Sequence, residues 1–372
     1  MTDGAALVVA SAGGDLTAHI TLTGAALAQA LASAGLGSGI ALAGGAQANA
    51  QANAPAMAFA MALSFARAIA LAMALAAPSM AGGALRVATW NLEWLMSPGQ
   101  FAALAPACVP AGGEHHGQHG IPCDVAAGLE RGATDYAALA RVARRLDADV
   151  VALQEVDGVQ AARLVFQGYA FCFTAGIAVQ NTGFAVRTGI PYRCAADYSA
   201  LSLGDTLRRG AVLVLYPGST HELHLLSVHL KSGCARGPIT RGEKPCERLV
   251  EQAPLLAAWA HAEQAAGHAF AVLGDFNRDL LAESQAGDSG LWRTLTDEQA
   301  GAPLENTATR ERYRNCRRGQ RATGYIDYIL LGGTLRGRAL AGSFERITYD
   351  ASEAWRLKLS DHCPVALSLR VD

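Results

Sequence analysis

Short apolar runs recur from residue 85 to the C-terminal end, at 85–92, 149–155, 169–174, 182–187, 211–216, 222–230, 270–275, 325–331 and 364–370. Runs of this length, bounded by Gly, Pro and polar clusters, are the mark of β-strands. The VVAL of residues 150–153 has no polar alternation, which points to a strand covered on both faces. Helical period shows in 135–146, where Tyr136, Leu139, Ala140, Ala143 and Leu146 share one face and Arg141, Arg144 and Arg145 take the other. Residues 247–265 read as a further helix, with Pro254 either kinking it or starting its second part. Residues 97–133, rich in Gly, Pro and His, read as a loop. Strands outnumber helices, and several strand pairs are joined by short polar connections. The pattern therefore predicts an α+β fold built as a mixed, largely antiparallel sandwich, not a doubly wound parallel sheet. There is no internal repeat and no glycine-rich phosphate loop.

Composition divides the chain. Of the 30 Lys and Arg and the 32 Asp and Glu, residues 1–81 hold only Arg67, Asp3 and Asp15. Residues 1–60, mostly Ala, Gly and small polar residues, read as a disordered or misassigned extension. In 61–81 the text becomes MALSFAR, AIALAMALAA and PSMA. That is a short region bearing Arg67, an apolar stretch, and Ser79 and Ala81 at A-x-A-like positions, the layout of a secretory signal. Met57 or Met61 would then be the true start. The rival is a membrane helix over 54–77, which would place Arg67 near the bilayer centre at considerable cost. A signal implies a mature chain of 82–372 with no membrane anchor, secreted or periplasmic. That length suits one large domain with a full core.

The eight cysteines, all beyond residue 81, agree with export. An even count suits a disulfide framework in an oxidising compartment, and no CxxC pair suggests a zinc ribbon. Connectivity stays open from sequence alone. Short loops would close at 108–123, 172–194 and 234–246, which leaves Cys316 with Cys363. The formal net charge of −2 argues against nonspecific coating of nucleic acid. An enzyme that grips a few phosphates locally remains compatible with it.

Candidate chemistry lies at the ends of the apolar runs, in ATWNLEWL (88–95), VVALQEV (150–156), SVHLKSG (227–233), VLGDFNRD (272–279) and LSDHCP (359–364). Several strand ends meeting in one cleft is how such folds build active sites. Glu155 is a carboxylate lifted to a strand end, and Asn91 offers a neutral oxygen; hard donors of this kind suit Mg²⁺. Asp275 and Asn277, two apart, point the same way in an extended chain and can activate and orient a water. His229 and His362 can donate to phosphate oxygens or move a proton. Asp361 adjoins His362, and Asp327 is an acid inside an apolar strand that needs a partner, for which His229 is a natural choice. Singly, each has a bland reading as a strand-end, turn or solvent-facing residue. Together they suit metal-assisted hydrolysis of a phosphate ester.

The set WNLE, LQE, HLKSG, GDFN, IDYIL and SDH resembles the endonuclease/exonuclease/phosphatase superfamily, the fold of pancreatic deoxyribonuclease, over roughly 85–370. The resemblance implies a four-layered α/β sandwich, with two mainly antiparallel sheets flanked by helices, and Mg²⁺-dependent phosphoester hydrolysis, with Mn²⁺ or Ca²⁺ as alternatives. It matches Asn91 and Glu155 to the metal site and His229 to a catalytic histidine paired with Asp327. Asp275 and Asn277 match the pair that handles water and phosphate, and Asp361 and His362 the C-terminal dyad. Lys231, Arg208 and Arg209 are candidates for phosphate contact. No match for the family's catalytic tyrosine stands out.

Two features remain. Arg310, Arg312, Arg314, Arg317, Arg318 and Arg321 form a basic stretch, either a solvated loop or a phosphate grip in which Arg317 and Arg318 are the chosen contacts. His115, His116 and His119 form either a mobile loop or a transition-metal site. The expectation is an exported phosphodiesterase acting on a phosphodiester substrate, DNA or RNA, with no stable protein partner implied. A sphingomyelinase or inositol-phosphate phosphatase on the same site is the alternative. A non-catalytic binding module is the alternative of another class.

Overall fold

The structure, a computed structural model, describes residues 83–110, 120–175, 179–286, 290–297, 299, 301–308, 316 and 324–371. The expectations for residues 1–60 and 61–81, for His115, His116 and His119, and for Arg317 and Arg318 lie outside the described residues. The strands are β1 (Ala84–Leu95), β2 (Val150–Val156), β3 (Tyr169–Phe173), β4 (Asn181–Arg187), β5 (Tyr192–Cys194), β6 (Ala211–Leu215), β7 (Leu223–His229), β8 (Ala269–Asp275), β9 (Glu305–Asn306), β10 (Asp327–Gly333), β11 (Glu345–Arg346) and β12 (Val365–Arg370). The helices are α1 (Pro98–Leu104), α2 (Cys123–Gly128), α3 (Ala133–Leu146), α4 (Val159–Val165), α5 (Lys244–Ala265), α6 (Leu280–Ala286), α7 (Leu291–Leu295) and α8 (Ala351–Arg356). Every apolar run expected to be a strand is one. Residues 97–133 are not a bare loop, for they hold α1, α2 and the start of α3. The start of α1 follows from local chemistry: Ser97 caps it by accepting from the Gln100 amide at 3.4 Å, and Pro98 occupies the first turn. Pro254 lies inside a continuous α5.

The strands form two six-stranded sheets, ordered β11-β12-β1-β2-β4-β3 and β5-β6-β7-β8-β10-β9. Each sheet is mixed. β1 and β2 run parallel in the first, and β7 and β8 in the second; all other pairs are antiparallel. The parallel pairs need crossovers, supplied by the segment that contains α3 and by α5. The crossovers set functional residues side by side: His229 is opposite Asp275, and Asn91 opposite Gln154.

Side chains from the inner faces, Leu85, Val150, Phe184, Leu225, Leu273 and Ile329 among them, fill the layer between the sheets. The outer face of the first sheet packs Trp90 and Leu153 against Leu139, Leu146 and Val165 of α3 and α4. The outer face of the second packs Phe270 and Tyr328 against Leu256, Trp259, Leu280 and Leu291 of α5, α6 and α7. Both sheets are thus covered on both faces, the reason their strands read as unbroken apolar runs. Disulfides join Cys108–Cys123, Cys172–Cys194, Cys234–Cys246 and Cys316–Cys363. No helix among the described residues is long and apolar enough to cross a membrane.

Candidate active site

One polar seam interrupts the inter-sheet layer. Gln154 of β2 donates to Ser227 Oγ of β7 at 3.0 Å and accepts from Thr89 Oγ1 at 3.1 Å. These groups are fully buried, so a missing partner would leave a costly orphan. The seam leads to the strand ends where the chemistry lies. Asn91 is fully buried and donates through Nδ2 to Glu155 at 3.2 Å and to Asp275 at 3.1 Å, joining the two sheets. Its Oδ1 accepts from the Glu93 amide at 3.0 Å. Asn91 therefore presents its amide nitrogen to the carboxylates and orients them; its oxygen is turned to the chain.

The backbone around these groups is strained. Glu93, Trp94, Glu155 and Asn277 have φ of 44°, 51°, 58° and 51°. Left-handed backbone at non-glycine residues is held only where surrounding structure enforces it, and it clusters at functional sites. Gly274 of GDFN has φ +150°, and a Cβ there would lie 2.0 Å from the Val228 carbonyl oxygen, so no side chain fits. This close approach lets β8 deliver Asp275 beside His229.

Asp275 is the hub. Its Oδ1 accepts from the Asn277 amide at 2.8 Å, and its Oδ2 from Asn277 Nδ2 at 3.2 Å. Its Oδ2 also lies 3.5 Å from His229 Nε2 and 3.7 Å from His362 Nε2. Burial pushes its carboxyl up to about 7, with Asp327 adding to the rise and His362, Asn277 and Asn91 opposing it. Glu155, 3.6 Å from His229 Nε2, is likewise raised, by burial first and then by Asp361.

The two histidines differ in charge. Burial, then Arg208, His362 and Lys231, hold His229 well below its ordinary value, so it is neutral at pH 7. Its Nδ1 is buried without a hydrogen-bond partner among the described residues. Burial also acts to lower His362, but Asp327, Asp361 and Asp275 outweigh it and hold the ring well above its ordinary value. Asp327 accepts from His362 Nδ1 at 2.8 Å, so the expected His229–Asp327 pair is corrected to His362–Asp327. The reason is topological. β8 lies between β7 and β10, and Asp275 stands in register with both His229 and Asp327. His362 reaches Asp327 from the other sheet.

Two residues not singled out from sequence, Ser360 and Tyr349, fix this arrangement together with Glu93 of the WNLE segment. Ser360, fully buried, donates to the Asn91 carbonyl at 2.6 Å and accepts from the His362 amide at 3.0 Å. Tyr349 bonds the His362 carbonyl and accepts from Trp90 Nε1 at 3.0 Å. Glu93, two residues past Asn91, accepts from the Asp361 amide at 3.1 Å. For Ser360 the sequence signal was present, since it adjoins the Asp-His pair. Tyr349 has none, because only the fold brings it near.

The phosphate candidates divide. Arg208 donates to the Leu230 carbonyl at 2.7 Å, and its charge acts on Glu155 and Asp275. Lys231 is half-buried beside it, its amine lowered by burial and by Arg208. Arg209 is not brought to the cluster: it turns to Asp205 at 2.8 Å and Asp197 at 3.7 Å. A cleft of about 500 Å³ opens at Glu93, lined also by Trp355, Arg356, Lys358 and Asp124. Trp355 is 66% exposed, unusual for its type.

Buried carboxylates raised by desolvation and by neighbouring negative charge fit a divalent cation, which would relieve their repulsion. Asp275 and Asp327 present carboxylate oxygens within 4.8 Å of each other, and Glu155 adds a further carboxylate joined to Asp275 through Asn91. Such a pocket, with charged imidazole and positioned amides, defines a phosphoric ester hydrolase. Residues 88–362 match the model of the Endonuclease/Exonuclease/phosphatase family, and the chain belongs to it. The family comprises metal-dependent phosphoric ester hydrolases. No curated protein matches the sequence. Among solved structures, an endonuclease/exonuclease/phosphatase from Bacteroides vulgatus is similar at 16% identity and a TM-score of 0.50, over 78% of this chain and 100% of that one. TDP2 from C. elegans is similar at 15% identity and a TM-score of 0.50, over 82% of this chain and 81% of that one.

Proposed function

We propose that this chain is an exported, Mg²⁺-dependent nuclease. The observation that carries the substrate reading is the cleft at Glu93, where the exposed Trp355 stands beside Arg356 and Lys358. An exposed indole flanked by cations suits stacked bases and phosphates along a strand. Arg317 and Arg318 are candidates for further phosphate contact. Export is supported by the four disulfides, which persist in oxidising compartments.

In this reading Glu155 holds the cation, with Asn91 orienting its carboxylate. Mg²⁺ suits the oxygen donors; Mn²⁺ and Ca²⁺ are the alternatives. When bound, the ion supplies charge neutralisation at the phosphoryl group. The protein's own groups do the rest. Asp275, with a carboxyl near 7, is matched to accept a proton from water at neutral pH. Asn277 holds that carboxylate in place through two donors. His362, charged and clasped by Asp327, donates to the phosphate or to the leaving oxygen. Neutral His229 adds a donor without adding charge.

The test is a substrate panel of plasmid DNA, RNA, sphingomyelin and inositol phosphates, each with Mg²⁺ and with EDTA. Nucleic acid should be cut with Mg²⁺ and spared with EDTA. An enzyme that ignored nucleic acid and hydrolysed sphingomyelin would overturn the nuclease reading and leave the metal reading intact. Trp355→Ala should raise KM on nucleic acid by roughly 5- to 150-fold with a smaller change in kcat, because stacking on one aromatic ring is worth about 1–3 kcal/mol. Steady-state kinetics on an oligonucleotide series measures it; an unchanged KM would remove Trp355 from the substrate path.

A further inference from the structure

A second group of titratable side chains meets at the other end of the second sheet. β7 and β8 are parallel, with Leu223 opposite Ala269 and His224 opposite Phe270, so their first residues lie side by side. Glu222 directly precedes β7, His224 is its second residue, and His268 directly precedes β8. α5, which links the two strands, carries Glu263 in its last turn. Five residue steps along β7 carry the chain from His224 to His229, about 17 Å at the rise of an extended chain. The group is therefore remote from the catalytic cluster and serves no step proposed there.

The geometry is specific. Glu263 Oε2 lies 2.8 Å from His224 Nδ1 and 2.6 Å from His268 Nδ1. The two imidazole rings face each other with centroids 4.0 Å apart and planes inclined by 35°. Glu222 Oε1 lies 2.9 Å from His224 Nε2. Ligand atoms of Glu222, His224 and His268 all fall within 4.8 Å of one another. His224 and Glu263 are mostly covered, with 12% and 15% of their side-chain surface exposed, while Glu222 and His268 keep 30% and 38%. An ion has a way in.

Two elementary costs need explanation. A carboxylate in the last turn of a helix faces the negative end of the helix dipole. Two imidazoles with centroids 4.0 Å apart cannot both be charged without repulsion. A cation coordinated by both neutral rings removes both costs. One carboxylate oxygen accepting from both Nδ1 atoms fixes both ring orientations, and the His224 Nε2, 2.9 Å from Glu222, becomes a ligand once the proton between them is displaced. That is the arrangement by which an outer carboxylate orients ligating histidines.

We propose that Glu222, His224 and His268 bind a divalent transition-metal ion of the zinc type, with Glu263 orienting both imidazoles. Two imidazoles and one carboxylate are a donor set that zinc accepts, its fourth position open to water. Mg²⁺ prefers oxygen and retains its waters, so it does not compete here. The ion displaces the proton shared by His224 and Glu222 and ties the end of α5 to the starts of β7 and β8.

The experiment is a Zn²⁺ titration of the stripped full-length protein against a chromophoric chelator, with Mg²⁺ saturating. Wild type should bind one equivalent, and X-ray absorption should show imidazole nitrogens at about 2.0–2.1 Å. His268→Ala, at the most exposed ligand, should keep its circular dichroism and lose at least ~10-fold in affinity. His362→Ala should keep the equivalent, because its cluster lies elsewhere. Undiminished binding in His268→Ala, loss of the equivalent in His362→Ala, or a wild-type spectrum without imidazole scattering would each overturn the site.

Discussion

His362→Ala is expected to lower turnover by roughly 10²–10⁴-fold while the fold survives, the usual range for removing a group that transfers a proton in the transition state. Asp327→Asn should reproduce most of that loss without touching substrate. Its carboxylate accepts from His362 Nδ1 at 2.8 Å and is the largest of the charges that keep the ring protonated. An amide there removes the charge and presents no carboxylate to the ring. The decisive measurement is the double variant. If Asp327 acts through His362, then Asp327→Asn with His362→Ala should be no slower than His362→Ala alone, the non-additivity expected of residues that work as a unit. Multiplicative losses would mean that Asp327 has a separate role, such as the one with His229 that the sequence suggested. The pH profile offers a second readout. In wild type the acidic limb should reflect Asp275, whose carboxyl burial places at about 7. Activity should therefore fall as pH drops through 7, as the base takes up its proton.

Glu155→Gln should act with opposite sign on catalysis and on stability. For catalysis, the metal concentration for half-maximal rate should rise by at least ~10–100-fold, the loss seen when merely an outer partner of a metal ligand is removed. For stability, the Glu155 carboxyl is raised above its unfolded value by burial and by Asp361. The native state then holds this proton more tightly than the unfolded chain does. By linkage, stability falls as pH rises from the unfolded value through the folded one. Above that window the ionised Glu155 costs the metal-free protein, and a neutral Gln does not. Thermal unfolding in EDTA at alkaline pH should give Glu155→Gln a Tm at or above that of wild type. Added Mg²⁺ should raise the wild-type Tm and leave the variant little changed. A variant less stable than wild type in EDTA would show that the carboxylate's bonds to Asn91 and the Trp94 amide outweigh its desolvation.

Much of this was legible in the sequence because both sheets are covered on both faces. Continuous burial made most principal strands apolar runs, and those of β1, β2, β7 and β8 stopped at or beside a functional side chain. The strands that escaped notice, β5, β9 and β11, are two or three residues long and too short to carry a period. The helices within 97–133 were hidden by composition, although Ser97 and Pro98 spell a helix start. The site residues could be named but not paired. Which histidine meets Asp327 depends on strand order, and strand order is a property of the whole chain. Tyr349 shows the same limit, for it acts on His362 across thirteen residues of sequence. The disulfide pairs followed the short-loop reading because the paired residues sit on neighbouring segments, with β3 and β5 joined through Cys172 and Cys194 as one instance.

The bonds of the site cross from one sheet to the other. Asn91 reaches Asp275, His362 reaches Asp327, and Gln154 reaches Ser227 beneath them. The cluster is thus a caliper set to the spacing of the sheets, and its jaws are held by side chains that never meet substrate. A smaller residue at Leu273 or Ile329 would leave every functional group in place and still reset the gap. Misplacements of about 1 Å can cost on the order of 10²-fold in rate. For anyone engineering this hydrolase, the middle layer is therefore a control on rate and the outer helix-facing layers are the safer place to seek heat resistance.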